Sequence, residues 1–173
     1  MTIKKAEEKT HKFSGDVTKS FLPPIQTGSN EKTFKQKFKE LFRKNEDKTI
    51  KGDLVLNEDM VVKGNLVVEG NIYFEGWRRY SLTVKDDLIV HGNVKVGKLK
   101  ATNINVDGNM DTWDIISKGD VTAKDIFAHS ITASKKISVM DLSIEDDIRT
   151  KILEAKSVRT WGRIFCEEQR EKP

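Results

Sequence analysis

From residue 50 the chain reads IKGDLVLNEDMVVKGNLVVEGNIYFEG, and two apolar residues separated by one recur every six positions, as Leu54/Leu56, Met60/Val62, Leu66/Val68 and Ile72/Phe74. After an interruption the pattern resumes at Leu82/Val84, Leu88/Val90 and Val94/Val96. It then tightens to steps of five and six and runs on through Leu99/Ala101, Met110/Thr112, Ile126/Ala128 and Leu142/Ile144 to Val158/Thr160 and Ile164/Cys166, 20 pairs in all. Residues i and i+2 of a strand point the same way, so each pair is the inward side of one short strand and each polar gap turns a corner. Three steps make 18 residues early on and 16 or 17 later, and cutting every 16 residues from Val94 brings Val94, Met110, Ile126, Leu142 and Val158 to the head of successive blocks. A fixed phase of this kind is the mark of a repeat architecture.

The pattern predicts an all-β fold, a three-sided parallel β-solenoid over 48–166 with six to seven coils and a length of roughly 30 Å at ~4.8 Å per coil. An antiparallel protein with alternating strands would show irregular strand lengths and a turn signal every 8–12 residues. The relaxed spacing favours a right-handed solenoid, since left-handed hexapeptide helices stay near six residues per face. Residues 1–32 are polar, broken by Gly15, Pro23, Pro24 and Gly28, and read as a disordered basic arm. Across 33–46 the period changes. Phe34, Phe38, Leu41 and Phe42 fall on one stripe of an amphipathic helix with lysines and an arginine around it. Residues 167–173 form a polar tail.

Composition fits this picture. Apolar residues are 36% of the 173, below the ~45–50% of ordinary globular chains, and a solenoid core needs only two inward residues per face. No run approaches the 18 or more apolar residues of a transmembrane helix, and MTIKKAEEKTHKF lacks the apolar stretch of a secretory signal. One cysteine, Cys166, forbids an internal disulfide. The expected setting is cytoplasmic, at most peripheral at the inner face of a membrane. Residues 1–47 carry 11 basic and 7 acidic side chains, while the remainder is balanced at 20 of each. Nucleic acid is therefore not an expected partner, because the folded body has no basic excess.

Little chemistry is available. His91 and His129 are candidates for the general base of a solenoid acyltransferase. With no acidic partner at a recognisable spacing, both read as solvated surface residues. His11 lies in the arm, so a three-histidine zinc site is not expected. Cys166 reads as a small inward residue of the last face, and Thr112 and Thr160 point inward, which excludes an ice-binding ladder. No catalytic residue, metal or cofactor is expected.

Surface aromatics remain. Trp113 and Trp161 share one column of the 16-residue register with Gly97, His129 and Glu145. The insertion GWRRYS puts Trp77, Arg78, Arg79 and Tyr80 on a protruding corner, and Phe127 and Phe165 face outward. Trp, Tyr and Arg are the residue types enriched at interaction hot spots. Local packing over the corner is the plainer alternative.

The short-faced solenoid, the phrases KGNLVVEGN and KGDVTA, and the proline-bearing arm resemble the bactofilin family of polymer-forming bacterial cytoskeletal proteins over residues 48–166. The resemblance implies a non-catalytic scaffold. End coils of a solenoid present unpaired edges and an open interior, so self-association is expected around Val158, Ile164 and Phe165. An adaptor that binds another protein without polymerising, and a degenerate acyltransferase-like solenoid, are the alternatives. The stripe of Phe34, Phe38, Leu41 and Phe42 either caps the first coil or meets an anionic membrane, since 31–44 hold six basic and two acidic residues.

Overall fold

The computed structural model describes residues 47–173; the basic arm and the helix expected over 33–46, with Phe34, Phe38, Leu41 and Phe42, lie outside the described residues. Among the described residues every element is a strand, and every pairing is parallel. Each strand pairs with the equivalent face one turn on, which makes a three-sided β-solenoid of about eight turns.

Three stacks define it. On face one Lys48, Leu66, Leu88, Ile104, Val121, Ile137, Leu153 and Gln169 lie one above another. Face two stacks Leu54, Ile72, Val94, Met110, Ile126, Leu142 and Val158. Face three stacks Met60, Leu82, Leu99, Ile115, Ile131, Ile148 and Ile164. Face one therefore has eight rungs, one more at each end than the apolar pairs indicate. The added rungs are Lys48–Ile50 and Glu168–Glu171. The second lies within the polar tail 167–173: its residues are polar and exposed, and Glu168–Glu171 pairs in parallel register with Ile152–Ala155.

The inward alternation is strict. Both members of every pair from Leu54 to Ala155 are buried except Phe74, which packs against the core half-exposed. Thr112, one of the small second members, is buried with its hydroxyl unpartnered. Its neighbours in the stack, Val96 and Ala128, offer that hydroxyl nothing to bond.

The polar gaps do more than turn. At the corner between faces one and two the Asp53 carboxylate accepts the Asn71 N–H at 2.7 Å, the Asn71 amide oxygen accepts the Asn93 N–H at 2.8 Å, and Asn93 accepts the Asn109 N–H at 2.9 Å. A second ladder climbs the corner between faces three and one through Asp47, Asn65, Asp87, Asn103 and Asp120. Each rung satisfies a corner N–H that the sheet pairing leaves over. The first ladder runs beside stacked glycines. A Cβ on Gly92 would stand 2.6 Å from Asn71 Oδ1 and 2.7 Å from the Gly70 carbonyl oxygen, and Gly108 repeats the arrangement one turn on. Beyond Gly108 the column continues as Lys124 and Met140, and strands such as Lys136–Ile144 run through this corner unbroken.

Candidate interaction site

The corner between faces two and three carries all three tryptophans of the chain. In the second turn Gly76, at φ 88°, starts the excursion 76–81. In the third turn Gly97 donates its N–H to the Tyr80 carbonyl at 2.7 Å, and a Cβ there would stand 3.0 Å from the Cβ of Arg79. Gly97 thus admits the excursion onto the rod. In the fourth turn Trp113 leaves the unbroken strand Met110–Ser117, 59% exposed, and the Arg79 guanidinium lies over its ring at 5.4 Å. His129 and Glu145 follow in the same column, and Trp161 closes it in the seventh turn at 90% exposed. The register read from the sequence places these residues correctly on one edge.

Within the excursion Trp77 is fully exposed and Arg78 and Arg79 are exposed. Tyr80 instead folds back, half-buried against the core, with Arg78 over its ring at 5.8 Å. Trp77, Arg79, Ser81, Gly97, Lys98, Trp113 and Asp114 line a notch of about 410 Å³. Neither arginine has a carboxylate partner among the described residues, whereas Lys98 is 3.6 Å from Asp114.

The C-terminal end is the open one. Ile164 is 38% exposed although its side chain belongs to the inward row, Phe165 stands out from the same rung, and Val158 and Cys166 are half-buried. At the other end Leu54, Leu56, Met60 and Val62 are all buried. Arg149 lies 5.0 Å from the Phe165 ring centre. The final polar rung is fastened by charge: Arg170 bonds Glu168 through two nitrogens at 2.6 and 2.7 Å, and Glu154 lies between Arg170 and Lys136. The Lys136 ammonium beside Glu154, and Arg170 beside Glu168, hold both carboxyls below their ordinary range. Their contribution to the rung is present above that range and disappears as acid protonates them.

Phe127 is exposed on the floor of a groove of about 740 Å³ over face two, between Lys95 and Arg159. The two histidines have partners that local spacing concealed. His91 Nδ1 is 2.7 Å from Asp107 and His129 Nδ1 is 3.3 Å from Glu145, in each case 16 residues on and directly above. Both pairs are exposed at corners and line neither of the two grooves described. Among the described residues no group of three or more His, Cys, Asp or Glu side chains converges on a metal position. Comparison with protein-family models, curated proteins and solved structures finds no match to this chain.

Proposed function

We propose that this chain is a non-catalytic structural scaffold that self-associates through the ends of its solenoid, in the manner expected of a bactofilin-like cytoskeletal protein. The observation that carries the reading is the open last turn, where Ile164 and Phe165 lie exposed beside half-buried Val158 and Cys166. Face two ends at Val158–Thr160 and face three at Ile164–Phe165, each with an unpaired strand edge. Such an edge over an open apolar interior is a template for a second copy. The burial of Leu54, Leu56, Met60 and Val62 favours an N-terminal end closed by the helix 33–46, with Phe34, Phe38, Leu41 and Phe42 as the cap. In this reading the solenoid is right-handed and end-on association stops at pairs joined through the last turn. The setting is cytoplasmic.

The test is Ile164→Lys, which places a charge in the proposed contact at a position already part-exposed. It should lower the weight-average mass in sedimentation equilibrium while leaving the melting temperature within a few degrees. An unchanged mass overturns the end-on contact. Binding of the full chain to anionic vesicles with loss of that binding on deleting 1–46 would place the helix at a membrane rather than over the first turn.

A further inference from the structure

We infer that two copies of this chain also pair side by side, antiparallel, along the tryptophan edge. The contact stands on residues separate from the end-on contact and adds a lateral direction to it. Trp is costly to leave in water, and each ring offers about 150–250 Å² of contact area. Yet all three tryptophans of the chain line one edge, exposed. A row of this length marks an interaction surface.

The charge order along the edge selects the partner. Trp113 sits in the fourth turn. Two turns before it stand Arg78 and Arg79 without carboxylate partners, and two turns after it stand Glu145, Asp146 and Asp147. Glu58 and Asp59 lie three turns before, and Trp161 and Arg163 three turns after. Of the acidic group, Asp147 is held by Arg149 and the Arg163 N–H, and Glu145 faces His129, while Asp146 is exposed with its carboxylate unengaged among the described residues. An edge that reads acidic, basic, acidic and basic from the first turn to the seventh sets like against like in a parallel pair. It matches itself in an antiparallel one.

A twofold axis through Trp113 meets each requirement. Arg78 then faces Asp146 of the partner subunit, with Arg79 beside it over Trp113, and Arg163 faces the partner's Glu58. The notch at Gly97, one turn before the axis, receives the partner's His129, one turn after it. Trp161 reaches the first turn of its neighbour, beside the exposed partner's Val61. Asp114 meets its own copy at the axis, but Lys98 and Ser130 already hold it, at 3.6 and 2.9 Å. The contact is isologous, so every pairing occurs twice.

That symmetry supplies the test. In an Ile164→Lys background, which removes the end-on contact, the chain should sediment as a dimer. Arg78→Glu with Arg79→Glu should turn the dimer into a monomer, and so should Asp146→Arg in a separate chain, with unchanged circular dichroism. An equimolar mixture of these two chains should restore the dimer, because both contacts of the mixed pair are attractive while both contacts of each like pair repel. Monomer in the Ile164→Lys background, variants that remain dimeric, or a mixture that stays monomeric would each overturn the antiparallel edge. The end-on contact is judged separately, by whether Ile164→Lys lowers the mass from that of the unsubstituted chain.

Discussion

Ile131→Asp is expected to abolish the fold, whereas Thr132→Asp, one residue on, should be nearly neutral. Ile131 is fully buried, stacked between Ile115 and Ile148 in the inward row of face three. A carboxyl there loses the apolar burial, worth about 1.5–3 kcal/mol. It also faces a desolvation cost of about 2–7 kcal/mol with no polar partner in reach. The sum approaches the whole stability of an ordinary domain, about 5–15 kcal/mol. Because each turn is supported only by its neighbours, the damage spreads along the rod. Thr132 is exposed on the outer row, level with Arg149 of the next turn, and surface changes of this kind stay within about 0.5 kcal/mol. Thermal melts of the two variants decide the matter. Matching melting temperatures would contradict the inward register.

Gly92→Ala should cost more than its single methyl suggests. The added carbon meets Asn71 Oδ1 at 2.6 Å and the Gly70 carbonyl oxygen at 2.7 Å, so two turns must separate or the Asn71 amide must leave Asn93. Overpacking of this kind costs about 1–3 kcal/mol, and the lost ladder bond adds about 1 kcal/mol. Gly76→Ala is the control. Its Cβ meets open space, so only the left-handed backbone is penalised, by about 1–2 kcal/mol. Gly92→Ala is expected to melt lower than Gly76→Ala. The reverse order would mean that the corner glycines are turn residues rather than floor for the ladder.

What the sequence disclosed follows from what its periodicity can encode. Alternation within a strand and a nearly fixed gap between strands are both apolar signals, so the three faces and the inward rows are legible from Leu54 to Ala155. A rung that lacks an inward apolar pair is invisible to that signal. Lys48–Ile50 brings only Ile50 to the core, and Glu168–Glu171 is held by backbone hydrogen bonds and the Arg170, Glu168 and Glu154 charges, so neither shows among the apolar pairs. Spacing along the chain hides the histidine partners. In a solenoid the neighbour lies one turn on, and the 16-residue register that aligned Trp113 with Trp161 also puts Asp107 over His91 and Glu145 over His129. The corner ladders are indistinguishable from plain turns in the sequence, since Gly-Asn and Gly-Asp phrases suit both. Only the stacked glycine contacts reveal the side chain lying beneath. Tyr80 illustrates the opposite limit: an insertion has no register, so nothing in its order of residues foretold that its ring would return to the core while Trp77 stayed out.

The central claim is that the solenoid ends are association surfaces, one open and one capped. It is tested most directly by negative-stain electron microscopy of the chain lacking residues 1–46, a cut that keeps Asp47 and its bond to Asn65. Eight rungs at ~4.8 Å make each copy about 35 Å long. With both ends free, the truncated chain should form rods that lengthen in steps of about 35 Å as concentration rises, while the full chain shows no growth beyond end-joined pairs along the rod axis. Truncated particles of the same length as the full chain at every concentration would contradict the account.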